Sequence, residues 1–180
     1  IYGTVNGQEV GFAGRNNGTI ENCAVYLSIT ASGYCNGGIA GFNEGTIRNC
    51  IYGGQISTSG ESGAIVGWQN GSTTNCYYVK QNSGVGALGS GSGSAEEKSS
   101  EQFASGEVAW LLNGEKSDGV WKQTIGTDGF PGFTGETVYK KPDGTFSNNP
   151  SEKAPTPTLT TTQTASSITV NPVSYTHLTL

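Results

Sequence analysis

A ten-residue pattern recurs three times in the first half of the chain, and a chain that repeats itself at a short, near-constant interval has few ways to fold. The copies are Gly14-Arg-Asn-Asn-Gly-Thr-Ile-Glu-Asn-Cys23, Gly41-Phe-Asn-Glu-Gly-Thr-Ile-Arg-Asn-Cys50 and Gly67-Trp-Gln-Asn-Gly-Ser-Thr-Thr-Asn-Cys76, spaced 27 and then 26 residues apart. An apolar pair precedes the first glycine of each: Phe12 and Ala13, Ile39 and Ala40, Ile65 and Val66. After the first cysteine, Cys23, Val25, Leu27 and Ile29 alternate with Ala24, Tyr26, Ser28 and Thr30, the period of a half-buried strand; Cys50, Tyr52 and Ile56 keep that parity. A unit this short, with two or three strands and no helical period, cannot bury its apolar face alone and must stack on its neighbours. Stacking at the strand spacing of about 4.8 Å predicts an all-β fold, a right-handed parallel β-solenoid of about three coils of 26 to 27 residues over residues 1–83.

Equivalent residues of a solenoid form columns. Cys23, Cys50 and Cys76 are expected in one inward column, Asn22, Asn49 and Asn75 in another, and Gly18, Gly45 and Gly71 in a third, where the chain turns with positive φ. Such turns explain why 29 of 180 residues are glycine, about twice the ordinary ~7%. Charged residues make up only 13% of the chain and the formal net charge is −5, which argues against nucleic acid or an anionic membrane as partner. No run of about 18 apolar residues could cross a membrane as a helix. The chain opens at Ile1, contains no methionine and shows no signal peptide; Ile1-Tyr2-Gly3 echoes Ile51-Tyr52-Gly53, so it is expected to be a fragment beginning inside an earlier repeat, with any export signal upstream.

The pattern Gly-Xaa-Asn-Xaa-Gly-Thr-Ile-Xaa-Asn-Cys, preceded by Gly-Ile-Ala or Ala-Ile-Val, resembles the GLUG repeat of large secreted and surface-attached bacterial proteins and of non-catalytic regions of some immunoglobulin A peptidases. The third copy departs from it at Gln69 and at Ser72-Thr73. The resemblance covers residues 1 to about 80. It implies an extracellular or cell-surface location and a scaffold, with other domains of the same chain as neighbours.

The cysteine column reads as buried small hydrophobes, since side chains on parallel rungs point the same way while a disulfide needs converging Cβ vectors; the other reading is that Cys35 reaches one of them. Cys-x-x-Cys pairs and histidine partners for zinc are missing. Arg15, Phe42 and Trp68 occupy equivalent positions and should form an outward ladder, either plain surface stacking or a strip that contacts a glycan or a host or other extracellular protein. Glu21 and Arg48 should pair across adjacent rungs.

A Gly/Ser-rich linker is expected over 84–98, around Gly89-Ser-Gly-Ser-Gly-Ser94, and a small α+β cap over 99–148. One helix is predicted there, opened by a Ser99/Gln102 capping box, with an apolar face of Phe103, Ala104, Val108, Leu111 and Leu112, ended by Asn113-Gly114, and with Gly106 in its middle. A strand over 120–124 and a hairpin across Pro142-Asp143-Gly144 should complete a cap over the solenoid's open end. The stretch from Phe103 to Asn113, with Val120-Trp-Lys-Gln and Asp128-Gly-Phe-Pro131, resembles the module that commonly follows GLUG repeats. Trp110, Trp121, Phe130 and Phe133 are either that cap's core or a sugar site. Residues 149–180 read as a Pro/Thr linker and flexible tail, with 157–173 resembling the first strands of a fibronectin type III-like domain. Val173–Leu180 resembles translated adapter sequence that contaminates some metagenomic reading frames, which would make His177 foreign.

Catalysis is not expected. Residues 1–89 hold no aspartate and only Glu9, Glu21, Glu44 and Glu61, so paired carboxylates at a fixed separation are lacking. The single histidine leaves no triad or His-ligated metal, and Asp118, Asp128 and Asp143 each precede a glycine as turn residues do. No cofactor is implied. The expected role is a non-catalytic stalk or adhesin-like spacer; the alternatives are a glycan- or protein-binding module using Arg15, Phe42 and Trp68, and a non-catalytic part of an immunoglobulin A peptidase-like enzyme.

Overall fold

The computed structural model describes residues 2–7, 10–155, 160–164 and 167–171. Residues 2–7 and 10–98 form a parallel β-solenoid. One face stacks Ala13–Asn16, Ala40–Asn43, Val66–Gln69 and Leu88–Ser90; a second stacks Thr19–Glu21, Thr46–Arg48 and Ser72–Thr74. The third and longest stacks Tyr2–Gly7, Ala24–Ala31, Ile51–Tyr52, Cys76–Val79 and Ala95–Lys98, with Ile56–Thr58 continuing beside Ala24–Ala31. Asn36–Gly37 and Ser62–Gly63 add a short fourth ladder. Register follows the repeat: Ala13 lies opposite Ala40 and Ala40 opposite Val66, and Ile20 opposite Ile47 and Ile47 opposite Thr73.

The segment expected as a linker over 84–98 belongs to the solenoid. Leu88–Ser90 pairs with Val66–Gln69, and Ala95–Lys98 pairs with Cys76–Val79, so a shortened rung closes the stack and skips the second face. At Gly89 glycine serves close backbone approach rather than flexibility: a Cβ there would lie 3.0 Å from the Ser62 nitrogen. A Cβ on Gly63 would lie 2.6 Å from the Gly89 nitrogen, and one on Gly37 would lie 2.6 Å from the Gly67 nitrogen. Gly45 and Gly71 have the same cause, since a Cβ on Gly45 would lie 2.8 Å from Gly18 N and one on Gly71 2.8 Å from Gly45 N, whereas one on Gly18, the first of the column, would meet only Asn16 Oδ1 at 4.0 Å. None of these three has positive φ, contrary to the sequence expectation; the left-handed turns fall on Asn22, Asn49 and Asn75, at φ 52°, 52° and 48°. Asparagine tolerates that region better than other residues with a Cβ, which places the corner four residues further along the chain.

Inside the coils, Val25, Ile29, Ile39, Ile47, Tyr52, Ile56 and Ile65 make a continuous core. The alternation of Ala24–Ala31 is that of a strand buried on one side, whereas all of Cys76–Val79 is buried. The reason is a second core on the outer side of the third face, where Ile51, Tyr77 and Val79 meet Phe103, Val108, Leu112 and Trp121. The cap therefore lies laterally across the rungs, not over the open end of the stack as the sequence suggested. Its helix is also divided. Helix α1 (Ser100–Ala104) begins with the expected capping box, and α2 (Glu107–Leu112) begins after Gly106, whose φ of 91° breaks the helical path. A Cβ there would stand 2.8 Å from Ile125 Cδ1 and 3.0 Å from Val138 Cγ1.

No strand forms over 120–124; a single antiparallel bridge joins Lys122 to Gly132. Asn113 holds this segment instead, its amide donating to Trp121 O at 2.9 Å and its oxygen accepting from Trp121 N at 3.0 Å. The hairpin forms, with Tyr139–Lys140 against Phe146–Ser147 and Gly144 at φ 87° in the turn. In the tail, Thr160–Thr164 pairs antiparallel with Ser167–Asn171. Ile1, Glu9 and Val173–Leu180, with His177, lie outside the described residues.

Candidate functional site

Five columns carry the polar, aromatic and thiol chemistry of the solenoid. The outward one stands as expected: Arg15 is opposite Phe42 and Phe42 opposite Trp68. The Arg15 guanidinium lies 5.6 Å from the Phe42 ring centre, and the Phe42 and Trp68 rings stack at 6.1 Å with 23° between their planes. Trp68 is 45% exposed, so its outer surface is open to a partner. Arg15 is also fixed by a two-pronged contact with Glu44, NH2 to Oε1 at 2.7 Å and Nε to Oε2 at 2.9 Å. Glu44 thus orients the cation of the strip. On the second face, Arg48 pairs with Glu21 at 2.8 Å, and the guanidinium hydrogen bond holds the Glu21 carboxyl below its ordinary value.

A second polar column, which the sequence reading passed over as part of the motif, runs inside. Asn16, Asn43 and Gln69 are buried. Asn16 Nδ2 donates to Asn43 Oδ1 at 2.7 Å, and Asn43 Nδ2 donates to Gln69 Oε1 at 3.0 Å and to Ser72 O at 3.1 Å. Gly18 N donates back to Asn16 Oδ1 at 3.1 Å. Buried amides have to find partners, and stacking identical residues supplies them rung by rung. The signal was available: an asparagine at the same place between glycines, with Gln69 as its nearest substitute in the third copy.

Cys23, Cys50 and Cys76 form the cysteine column, Cys50 and Cys76 buried and Cys23 partly so. None of the four cysteines forms a disulfide, Cys35 included. Each column thiol donates to the carbonyl two residues back, of Glu21, Arg48 and Thr74, at 3.3, 3.1 and 3.2 Å. Hydrogen bonding to Cys50 raises the Cys23 thiol and lowers that of Cys76. The column behaves as packed small side chains. Among the described residues no group of three or more His, Cys, Asp or Glu is placed to hold a metal ion.

The corner asparagines are half-buried rather than inward. Asn75 Nδ2 donates to Asn49 Oδ1 at 2.8 Å and to Leu112 O at 3.3 Å, which ties the corner to the cap. Tyr77 donates to Asn75 Oδ1 at 2.8 Å, and burial, with Glu96 nearby, pushes its phenol up to about 12. The four cap aromatics do not converge on one site. Trp121 is fully buried; Phe130 packs on Tyr26 at 5.3 Å and on Phe103 at 4.8 Å, beside a cleft it shares with the exposed Phe133. Trp110 lines a different cleft of about 400 Å³ with Lys116, Lys140 and Lys153.

Stacked parallel rungs, files of identical side chains and a lateral cap define a β-solenoid repeat protein. No protein-family model, curated protein or solved structure matches the chain.

Proposed function

We propose that this chain is a non-catalytic structural repeat region, a stalk or adhesin-like spacer of a large bacterial protein that is secreted or held at the cell surface. The observation that carries it is the buried Asn16, Asn43 and Gln69 file, which joins rung to rung by side-chain hydrogen bonds along the axis in addition to the backbone ladders. Such cross-links resist the peeling of one coil from the next. The GLUG-like repeat supports the exported setting, and on the same ground the chain would serve an immunoglobulin A peptidase-like enzyme as a spacer.

A load-bearing role is tested by pulling the chain from its two ends. Extension in steps of about 90 Å is expected, the contour length of one coil at about 3.4 Å per residue. A single low-force collapse of the whole solenoid would defeat the stalk reading.

One observation favours a second role. Phe42 and Trp68 stack in register with Arg15 on an open surface, a platform suited to a glycan or to a partner protein. Glycan-array screening of the full chain separates the two: reproducible binding abolished by Trp68→Ala would make the strip a binding site, and no binding leaves it a stacking ladder.

A further inference from the structure

The chain carries nine lysines and arginines, and three of them, Lys116, Lys140 and Lys153, surround the cleft beside Trp110. Of the other six, four are matched, Arg15 with Glu44, Arg48 with Glu21, Lys98 with Glu107 and Lys141 with Asp143, while Lys122 donates to Thr137 Oγ1 and Lys80 stands singly outside the cleft. The three cleft lysines have no ion pair or side-chain hydrogen bond among the described residues. A concentration of unmatched positive charge in an acidic protein is either a repulsive fault or a place for an anion. The wall decides which kind of anion. Trp110 turns its Nε1 inward, buried and without a partner, so what the indole shows to the cleft is ring carbon. Glu115 and Asp118 stand on the rim, leaving an excess of one positive charge over the five groups.

We propose that this cleft binds an acidic sugar residue, one carrying a single carboxylate. The lysine ammonium groups take the carboxylate, the Trp110 ring takes the apolar face of the pyranose, and the carboxylates of Glu115 and Asp118 accept from its hydroxyl groups. A phosphate dianion is disfavoured by those two carboxylates, and an acidic peptide side chain brings no hydroxyls for them. The cleft is formed within the cap and where the chain leaves it, at Lys153 to Pro155, apart from the Arg15, Phe42 and Trp68 strip. The site stands whether the solenoid is a stalk or a binding surface.

The test is calorimetric titration of the full chain with trigalacturonic acid, with maltotriose, triglutamate and inorganic phosphate as comparison probes. Saturable binding of trigalacturonic acid alone is expected, weakened at least tenfold in the combined Lys116→Gln, Lys140→Gln and Lys153→Gln variant and unchanged in Lys80→Gln, a lysine outside the cleft. These lysines are surface groups, and an unaltered circular dichroism spectrum of the variant shows that the fold is retained. Absence of binding, equal binding of maltotriose, triglutamate or phosphate, or indifference to the lysine substitutions would each overturn the proposal.

Discussion

Asparagine does two different jobs, six residues apart, in the first two coils, and in the third Gln69 takes over the first of them. Asn16 and Asn43 are buried amides that satisfy one another, while Asn22, Asn49 and Asn75 take the left-handed corner. A corner residue is chosen for its backbone, so Asn49→Ala should destabilise by about 1 to 2 kcal/mol and Asn49→Gly by distinctly less. Urea unfolding of the two variants measures this; an alanine variant as stable as the glycine one would show that φ is not the constraint. The repeat made these columns legible, but their roles were exchanged: glycine was expected at the left-handed turn and asparagine inside. Periodicity says which residues are equivalent. It does not say which way the chain turns at each of them.

The tyrosines give a second test at this scale. Burial raises the Tyr77 phenol from 10.0 to about 12 and raises Tyr52 as well, whose hydroxyl donates to Leu27 O at 2.7 Å. An acid whose pKa is higher when folded favours the fold fully below its unfolded value and loses that contribution as pH climbs through the folded one. Stability should therefore hold to about pH 10 and fall between there and about 12. Tyr77→Phe should flatten the alkaline limb in pH-dependent thermal melts, and an identical limb in the variant would remove Tyr77 as its source.

Among the elements, the cap shows most clearly where local signals stop. The capping box at Ser99 and Gln102 and the stop at Asn113-Gly114 were both readable, because each depends on residues within a few positions of one another. The break at Gly106 was not, since its cause is the approach of Ile125, Val138 and Phe146 from far along the chain. In a continuous helix Gly106→Ala would add about 1 kcal/mol of stability. With φ at 91° and Ile125 so near, it should instead cost about 2 kcal/mol or more. The sign of the change in a thermal melt decides between one helix and two. Residues 120–124 illustrate the converse: a strand was expected there, yet Trp121 is held by the Asn113 side chain rather than by a partner strand.

For the whole molecule, the consequential difference from the sequence reading is the side on which the cap sits. Ile51, Tyr77 and Val79 are on rungs of the solenoid yet belong to the cap's core, so the cap has no complete interior by itself, and the solenoid, which has its own inner core, relies on the cap to cover these side chains. Solenoid and cap should then unfold together, with tryptophan fluorescence and far-ultraviolet circular dichroism giving coincident denaturation curves. Trp121→Ala, which empties the centre of the shared core, should lower stability by about 3 to 5 kcal/mol and shift both curves equally. Separate midpoints would mean that the two are independent units. The continuous apolar run at Cys76–Val79 was the trace of this arrangement in the sequence, since a strand covered on both sides loses its alternation.

The buried amide file has a direction. Asn16 gives its N–H to Asn43, Asn43 gives to Gln69, and the Gln69 Nε2 is left with no acceptor on the shortened rung that follows. The two ends of the stack are therefore chemically unlike. One presents an oxygen that a preceding amide could meet, and the other ends in a donor with nothing to give to. A coil duplicated within this file would keep every link intact, while one added after Gln69 would have to bring an amide oxygen to the same place. The array is a vector rather than a ruler, and its sequence can lengthen freely in only one sense.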